Sequence, residues 1–458
     1  MGARNSAALL VGRTAAVLSR RLGRGGGTVI AGHLIPRLAP NALRDVTGSL
    51  PNGSIVVSGT NGKTTTTRLL SHILRSAGMK PIHNRAGANL LSGLFTAVAQ
   101  ATDWRGRPRG DIGLFEVDEA TVPLALRHVR PRVLLLHNVF RDQLDRYGEV
   151  HFVAGLWRSA VSTLSSATTL VLNADDPLVA DLGSGLTYGL DDSSVGTDVL
   201  PHAADARLCP RCGAALRYAV VYYGHLGHYA CARCEFARPT PGVVATSVEL
   251  LGDAGSQLTV ETPDGSLRVR LHLPGLYNVY NALAAIAVCV ALGVRRDVVT
   301  RGLETFTAAF GRVERIAVED RQIFLALVKN PVGFTEVLRT VLTAPGRRTL
   351  LLAINDLYAD GTDVSWLWDV EFERLAEDRV NLAVCAGLRA EDMAVRLKYA
   401  GVAGDRIAVE NDLRTAIERS LAAAEPNETI YVLPTYTAML AIRELLRQTG
   451  YVRGFWED

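Results

Sequence analysis

The sequence predicts an α/β protein with a large parallel-sheet domain followed by a smaller α/β domain. Strand and helix patterns alternate through residues 50–190, and the alternation returns after residue 311. Alternation of this kind favours parallel sheets covered by helices on both faces, because parallel strands need crossover connections. A chain of 458 residues, 48% hydrophobic and 21% charged, has room for roughly two to four domains with real cores.

Charge and hydropathy argue against two classes of protein. The formal net charge is only +3, which gives no support for a nucleic-acid partner. No apolar run reaches the roughly 18 residues that a membrane-spanning helix needs. We therefore expect a cytoplasmic protein that does not bind nucleic acid.

The basic N-terminal segment, residues 1–48, contains a predicted helix at 8–22. Residues 1–40 carry six arginines and no acid, and the arginines interrupt the apolar runs too often for a secretory signal. The composition also suits a transit peptide, but we favour a structural helix. That helix either packs on its own domain or makes a peripheral contact with the acidic inner face of the cell membrane.

The most specific motif is a glycine turn between a strand and a helix at residues 58–65. Backbone N–H groups of such a turn bind phosphate oxygens, Lys63 adds a positive charge, and the Thr64 hydroxyl can ligate Mg²⁺. The run departs from the full Walker pattern because Ser58 stands where the first glycine belongs. We expect it to hold a nucleoside triphosphate through Gly59, Thr60, Asn61, Gly62, Lys63, Thr64 and Thr65.

Polar clusters follow three further predicted strands, at 112–117, 133–136 and 169–172. The first cluster is the acidic turn 116–119, whose carboxylates are natural Mg²⁺ ligands. The second is a dense polar run that begins at His137 and includes Asn138. The third contains Asp176, which suits a ribose or base but also suits an ordinary turn.

Four cysteines form a C-x₂-C-x₁₈-C-x₂-C pattern at Cys209, Cys212, Cys231 and Cys234. This spacing is typical of a zinc site, in which four thiolates bind Zn²⁺ in a closed tetrahedron. Two disulfides are the alternative, but they fit poorly with a nucleotide-binding cytosolic chain. We predict a zinc ribbon inserted at 202–240, with a stabilising or docking role.

Two asparagines, Asn278 and Asn281, stand three residues apart before an apolar helix predicted at 282–292. They can cap that helix or read an adenine edge, and the pattern does not choose between these roles.

The C-terminal region contains a polar insertion at 355–369 after a predicted buried strand. Strands are predicted at 323–328, 349–354, 380–385 and 429–433. The insertion has four acids and two tryptophans, a residue type common at interface hot spots. It is either a docking surface or an acidic loop with its tryptophans packed inward.

Taken in order, these motifs resemble the Mur ligase superfamily. The shared motifs are Gly-Thr-Asn-Gly-Lys-Thr at 59–64, Glu-x-Asp-Glu at 116–119, Asn138 with Asp142 and Asp145, Asn173 to Pro177, and Asn278 with Asn281. The runs at 355–369, 387–401 and 433–439, with the Cys₄ ribbon, resemble the family of ligase subunits that work with a GatD-like glutaminase. The resemblance implies a central ATP-binding domain at 49–308 and a Rossmann-like C-terminal domain at 309–458 that docks the glutaminase.

The resemblance also implies a reaction. ATP and Mg²⁺ would convert the α-carboxylate of D-glutamate in the stem peptide of lipid II to an acyl phosphate. Ammonia from the GatD-like partner would then displace phosphate to leave D-isoglutamine, a step of peptidoglycan synthesis.

Roles for single residues follow from the same resemblance. Lys63 would contact the β- and γ-phosphates, and Thr64 and Glu116 would hold Mg²⁺. The remaining nucleotide contacts would come from Asn61, Thr65, Asn138, Asp176, Asn278 and Asn281, with Asn281 and Asp176 at the base and ribose. Arg312 would clamp the γ-phosphate or the acyl phosphate.

A separate glutaminase is also favoured by the composition of the C-terminal domain. A thiol amidotransferase needs a cysteine and a histidine base, and the last histidine in the chain is His272. Cys385 therefore lacks a local partner and is interpreted as structural. The resemblance implies that Asp356, or failing that Asp360, completes a triad with the partner's histidine.

Two departures from the general pattern of Mur ligases stand out. Gln143 follows Asp142 where many members have a histidine, and residues 328–331 read Val-Lys-Asn-Pro where Asp-x-Ala-His-Asn-Pro is common. Both suit ammonia as a small nucleophile. The alternatives are a muramyl-peptide or folylpolyglutamate type of ligase that adds an amino acid, and a non-catalytic zinc-ribbon NTPase that binds nucleic acid.

Overall fold

The structure, a computed structural model, describes residues 3–21, 28–84, 88–142, 150–201, 204–307, 313–343, 346–376 and 378–452. In chain order the α-helices are α1 Ala3–Arg21, α2 Thr28–Leu38, α3 Ala42–Gly48, α4 Lys63–Ser76, α5 Leu91–Gln100, α6 Val122–His128, α7 Val150–Val161, α8 Pro177–Ala180, α9 Leu276–Leu292, α10 Arg296–Glu304, α11 Pro331–Val341, α12 Ala390–Tyr399, α13 Leu413–Ala423 and α14 Tyr436–Gln448.

The strands are β1 Ser54–Ser58, β2 Pro81–His83, β3 Ile112–Glu116, β4 Val133–Leu136, β5 Thr169–Asn173, β6 Leu186–Leu190, β7 Leu216–Tyr223, β8 Leu226–Cys231, β9 Val243–Leu250, β10 Ser256–Thr262, β11 Gly265–Leu271, β12 Val313–Val318, β13 Arg321–Ala326, β14 Arg348–Ala353, β15 Val380–Ala386, β16 Ile407–Glu410 and β17 Thr429–Pro434. The strands expected in both α/β regions are confirmed to within a few residues.

A nine-stranded sheet forms the larger domain, in the order β11-β10-β9-β6-β5-β4-β1-β3-β2. The seven neighbouring strands β2, β3, β1, β4, β5, β6 and β9 pair in parallel. Strand β10 pairs antiparallel with both β9 and β11. Strand β1 lies between β3 and β4, with Ile55 beside both Leu114 and Val133. The carboxyl ends of β1, β3, β4 and β5 therefore meet at one edge, which is where the polar clusters follow.

Helices cover both faces of this sheet because each strand of its centre is apolar on both sides. Helix α4 buries Leu69 and Ile73 in the same core as α9 and α10. On the opposite face, side chains of the N-terminal helices, α5 and α7 belong to one core, which includes the fully buried Trp157. The helix predicted to follow the glycine turn is thus confirmed.

The smaller domain contains a six-stranded sheet in the order β12-β13-β17-β14-β15-β16. Only β12 runs antiparallel to its neighbour among the described strands of this sheet. Helices α11 and α12 bury Phe334 and Met393 on one face. Helices α13 and α14 bury Ile417 and Ile442 on the other. This arrangement confirms the predicted second α/β domain.

The N-terminal helix is longer than predicted and is packed on its own domain. Helix α1 starts at Ala3 and contacts α2 and α5, with Ala8 and Leu9 buried in the core. Leu10 and Val11 remain 46% and 48% exposed. Among the described helices, none is long and apolar enough to cross a membrane.

Candidate active site

The phosphate-binding turn predicted at 58–65 joins β1 to the first residue of α4. Gly62 has φ +84° and directly precedes Lys63. A Cβ atom at Gly62 would lie only 2.0 Å from Asn281 Oδ1 and 2.8 Å from His137 Nε2. Glycine is therefore required both by the backbone conformation and by the close approach of α9 and β4.

Lys63 is buried and ion-paired. Its Nζ lies 2.7 Å from Glu119 Oε2 and also donates to the carbonyl oxygens of Gly59 and Thr60. Burial lowers the pKa of Lys63, but Glu119, Asp118 and Glu116 together raise it above the ordinary value. Lys63 therefore keeps its positive charge inside the protein. Glu119, which the sequence placed in an acidic turn of candidate Mg²⁺ ligands, instead pairs with this lysine.

Thr64 and Glu116 form the arrangement expected of a magnesium site. Thr64 Oγ1 donates to Glu116 Oε1 at 3.0 Å, whereas Glu116 Oε2 is buried with no hydrogen-bond partner. Asn84 fixes the backbone of Glu116, accepting from its N–H at 2.9 Å and donating to its carbonyl at 2.8 Å. An unpaired buried carboxylate oxygen is unfavourable, and a hard cation bound by oxygen would satisfy it. These residues therefore fit Mg²⁺.

Asn138 braces the phosphate loop. Its Oδ1 accepts from the N–H of Asn61 at 2.8 Å, and its Nδ2 donates to the Asn61 carbonyl at 3.1 Å. Its own carbonyl accepts from the N–H of Thr60 at 2.9 Å. Asn138 lies on the wall of the cleft, but its side chain is occupied in shaping the turn.

A buried chain of hydrogen bonds links β4 to the two asparagines of α9. His137 Nδ1 pairs with Tyr188 OH, and His137 Nε2 pairs with Asn281 Oδ1 at 2.9 Å. Asn281 Nδ2 then donates to Asn278 Oδ1 at 2.9 Å. Because Asn281 accepts, His137 must carry its proton on Nε2. Burial lowers the pKa of His137 to about 4, so the ring is neutral at pH 7.

The two asparagines line the cleft and do not cap α9. The helix begins at Leu276. Its N-cap residue is Gly275, which has a φ of +89° and no side chain that could cap the helix. Asn278 Nδ2 donates instead to the carbonyl of Pro274 at 2.7 Å. The capping alternative is therefore wrong, because the helix starts six residues earlier than predicted.

The assignment of Asp176 to the ribose is corrected by the structure. Asp176 is fully buried, and its oxygens accept from the N–H groups of Val139, Leu178 and Val179. It caps α8 and anchors the turn after β4. His225 lies 3.3 Å from it in the same buried region, so a ribose has no access to this carboxylate.

The smaller domain closes the cleft over the phosphate loop. Asn330 Nδ2 lies 2.9 Å from Asn61 Oδ1, and Lys329 Nζ forms an ion pair with Asp142 Oδ2 at 2.6 Å. Asn330 also caps α11, accepting from the N–H of Gly333 at 2.8 Å. Residues of both domains line the cleft. Thr65, Asn278, Asn281 and Lys329 are among its lining residues.

Lys329 and Asn330 are site residues that the motif analysis singled out only as a departure from a pattern. Their approach to the loop depends on how the two domains pack. Arg312 and Gln143 lie outside the described residues.

The polar insertion after β14 divides into buried and exposed parts. Asp360 is buried, and its carboxylate accepts from the N–H of Thr437 at 2.7 Å and from its hydroxyl at 2.5 Å. Asp356 is only partly buried and pairs with Arg389 Nη2 at 2.6 Å. Trp366 packs 6.3 Å from Phe334 between ring centroids, whereas Trp368 is exposed.

The surface around Asp356 is apolar. Leu357, Tyr358 and Leu388 are exposed, Tyr358 by 80%. An acid beside exposed apolar side chains is typical of a docking surface. We define this surface by Asp356, Leu357, Tyr358 and Leu388 and name it the Asp356 surface.

The four cysteines of the predicted ribbon meet at the base of the hairpin β7–β8. The Sγ atoms of Cys209 and Cys234 are 3.7 Å apart, those of Cys212 and Cys231 are 3.5 Å apart, and all four lie within 4.8 Å of one another. A tetrahedral Zn–S distance of about 2.3 Å places sulfurs about 3.8 Å apart. The cluster therefore fits zinc, and none of these cysteines forms a disulfide.

A parallel sheet with a phosphate loop at its edge, and a second α/β domain over that loop, defines the Mur ligase class of fold. Two family models match the sequence: the Mur ligase middle domain over residues 57–194 and the MurT ligase C-terminal domain over residues 327–439. The chain belongs to the MurT family of Mur ligases.

Curated relatives support this assignment over the whole chain. The MurT subunit of lipid II isoglutaminyl synthase (glutamine-hydrolyzing) from Streptococcus pneumoniae strain R6 is 32% identical over 460 residues, covering 99% of both chains. The subunit of the same name from Staphylococcus aureus strain N315 is 31% identical, covering 96% of this chain and 98% of its own.

Solved structures show the same fold. A pseudomurein peptide ligase type C from Methanothermus fervidus has a TM-score of 0.68 at 24% identity, covering 91% of this chain and 84% of its own. MurF from Acinetobacter baumannii has a TM-score of 0.64 at 18% identity, covering 92% and 81%.

Proposed function

We propose that this chain is the ATP-dependent ligase subunit of a lipid II isoglutaminyl synthase that serves peptidoglycan synthesis. The α-carboxylate of D-glutamate in the lipid II stem peptide attacks the γ-phosphorus of ATP, giving an acyl phosphate and ADP. Ammonia then attacks the acyl carbon, and inorganic phosphate leaves as the amide of D-isoglutamine forms. The main support is the buried set Lys63, Thr64 and Glu116, whose chain neighbours Gly62 and Thr65 line a cleft between the two domains.

The residues of the cleft divide the work of phosphoryl transfer, in which the protein mainly positions groups and neutralises charge. Lys63 exchanges its partner Glu119 for the β- and γ-phosphate oxygens when ATP binds. Thr64 and Glu116 would hold Mg²⁺, which neutralises charge on the phosphates. Asn278 and Asn281, whose side chains are bonded to each other, would form the wall of the cleft against the base. Arg312 is kept as the candidate clamp of the transferred phosphoryl group.

The cysteine cluster is proposed to hold a structural Zn²⁺. All four ligand positions are filled by the chain, which leaves no open position for catalysis. The ribbon carries β7 into the interdomain region, where the carbonyl of Tyr222 accepts from Arg339 Nη1 at 2.8 Å. Zinc therefore stabilises a hairpin that contacts both domains. We take residues 49–308 as the ATP-binding domain with this insertion at 202–240.

The ammonia is proposed to come from a GatD-like glutaminase that docks on the C-terminal domain, residues 309–458. Burial raises the pKa of Cys385 to about 12, so this thiol is unsuited to attack glutamine. Asp356 is the better candidate for the partner's triad, because the carboxylate of Asp360 is buried and bonded to Thr437. The Asp356 surface supplies exposed apolar area for the contact.

The reaction is tested with the purified chain, ATP, Mg²⁺ and lipid II, with ammonium chloride as the nitrogen source. Mass spectrometry of the product should find an amide in place of one stem-peptide acid. The lipid anchor of the substrate places this chemistry at the inner face of the cell membrane. A product that has gained an amino acid, or ATP hydrolysis that needs an amino acid, would instead identify a conventional muramyl-peptide type of ligase.

A further inference from the structure

A compact basic hairpin projects from the larger domain at residues 102–109. Thr102 and Pro108 form a β-bridge, and the N–H of Asp103 donates to the carbonyl of Arg107 at 2.8 Å. Gly106 takes a φ of +77° at the turn. These bonds hold the tip in one shape.

The tip displays an exposed tryptophan among arginines. Trp104 is 66% exposed, and the guanidinium of Arg105 lies 4.3 Å from its ring centroid. Arg107 and Arg109 are also exposed. The acid in this hairpin, Asp103, points its carboxylate at the backbone, where Oδ1 accepts from the N–H groups of Arg105 and Arg107 at 2.8 Å each. These two backbone N–H groups partly offset its negative charge.

Helix α1 lies against this hairpin and adds exposed apolar residues. Ser6 Oγ donates to the Arg105 carbonyl at 2.9 Å, and Arg13 Nη1 donates to the Thr102 carbonyl at 3.1 Å. Leu10 lies between Ser6 and Arg13 on the same helical face, because residues four and three apart are neighbours. The nearby acid Asp45 is hydrogen-bonded to Asn5 Nδ2. We call Leu10, Val11, Trp104, Arg105, Arg107 and Arg109 the Trp104 face.

We propose that the Trp104 face binds the surface of an anionic phospholipid bilayer. Tryptophan is suited to the interface between headgroups and acyl chains, because its ring is apolar and its N–H is polar. Arginines next to it pair with lipid phosphates, and each adds to the attraction of a negative leaflet. Leu10 and Val11 are exposed on the helix that contacts this hairpin and supply further apolar area. The choice of a lipid surface rests in part on the proposed lipid substrate.

A bilayer explains this face better than nucleic acid does. Exposed Leu10 and Val11 gain nothing from a phosphate backbone, whereas a lipid surface buries them. The opposite face of the nine-stranded sheet also carries exposed arginines, at α10, without an exposed tryptophan among the described residues there. That face provides the matched control.

The test is flotation of the full-length chain, alone and with its glutaminase partner, on vesicles of phosphatidylcholine with and without phosphatidylglycerol. The triple variant Arg105→Gln/Arg107→Gln/Arg109→Gln should lose about 100-fold in partitioning to the anionic vesicles. Trp104→Ala should lose roughly tenfold. The control triple Arg295→Gln/Arg296→Gln/Arg301→Gln removes the same charge from exposed positions at α10 and should bind as the unmodified chain does.

The proposal would be overturned if both triple variants lost the same amount of vesicle binding, or if binding did not depend on phosphatidylglycerol. Stronger binding to duplex DNA than to vesicles would also overturn it. Quenching of tryptophan fluorescence by lipids brominated in the acyl chains gives a second measurement. The quenched fraction should fall in Trp104→Phe, a variant that keeps an apolar ring at this position. Ammonium-dependent amidation of a lipid II analogue with a short soluble tail should stay unchanged in these variants. Loss of amidation in the unmodified chain would instead contradict the proposed function.

Discussion

Lys63 and Glu119 form a buried ion pair across the phosphate-binding turn, with Nζ 2.7 Å from Oε2. The backbone of Glu119 is fixed in turn by Trp157, whose Nε1 donates to its carbonyl at 3.0 Å. The pair keeps Lys63 charged in a buried position where an isolated lysine would lose its proton. It also means that ATP must displace Glu119 before Lys63 can contact phosphate.

We expect Lys63→Ala to abolish amidation with either glutamine or ammonium as nitrogen source, because both need the acyl phosphate. The single change also leaves Glu119 buried without its partner, which destabilises by about 3–5 kcal/mol. The double variant Lys63→Ala/Glu119→Gln should regain stability in thermal unfolding but not ATP binding by calorimetry. Ammonium-dependent amidation that survives in the double variant would contradict the phosphate role.

Glu116→Gln should weaken Mg²⁺ binding without harming the fold. The amide oxygen can still accept from Thr64, but it is a poorer ligand than a carboxylate, so we expect at least about 100-fold weaker Mg²⁺ activation. The change also removes one of three carboxylates around the single ammonium of Lys63, so the melting temperature of the nucleotide-free chain should not fall. The measurement is a Mg²⁺ titration of ATP turnover beside a thermal scan. An unchanged titration would exclude Glu116 as a ligand.

Asp356→Asn should abolish glutamine-dependent amidation while ammonium-dependent amidation continues. The matched control is Asp363→Asn, an exposed acid of the same insertion whose carboxylate accepts from the N–H of Ser365 at 2.8 Å. Asp360→Asn should act on stability, by about 1 kcal/mol, because it weakens the cap of α14. Equal loss with both nitrogen sources in Asp356→Asn would argue against the triad across the interface.

Metal analysis should find one Zn²⁺ per chain, retained in Cys289→Ala and lost in Cys209→Ala. Cys289 is buried in the apolar core of α9 and remote from the cluster. Because the ribbon contacts both domains, zinc removal by a chelator should lower the melting temperature and loosen ATP binding. An unchanged melting temperature after the chelator has removed zinc would show that the ribbon keeps its fold without the metal.

His137 should make folding pH-dependent in a way that His137→Gln removes. Its pKa is about 4 in the fold and about 6.5 unfolded, so the unfolded chain binds more protons between these values. The contribution of His137 to the free energy of unfolding is therefore fully present above pH 6.5 and decreases as the pH falls. At pH 5 the decrease amounts to about 2 kcal/mol. Glutamine can still donate to Asn281. Denaturant unfolding at pH 7.5 and pH 5 should show a smaller loss in His137→Gln, and an equal loss would contradict this prediction.

The sequence by itself determined the features that depend on neighbours in the chain. The strand positions, the glycine turn, the acidic turn after β3 and the cysteine spacing follow from local patterns of a few residues, and the structure confirms the elements that carry them. The N-terminal helix was also predicted, although its packing on its own domain was one of two alternatives. Helix α9 was predicted too short because its polar start at Asn278 and Asn281 resembled a cap.

Only the tertiary structure decided which polar groups satisfy one another. Asp176 was assigned to a ligand but is occupied by backbone N–H groups from two turns. Glu119 was grouped with candidate Mg²⁺ ligands but pairs with Lys63. Asn330 meets Asn61 across a separation of 269 residues, a contact that depends on how the two sheets pack. The spacing of residues along the chain determines which polar groups a turn presents. The pairing of those groups is set by the arrangement of distant elements, because every buried donor and acceptor must find its partner there.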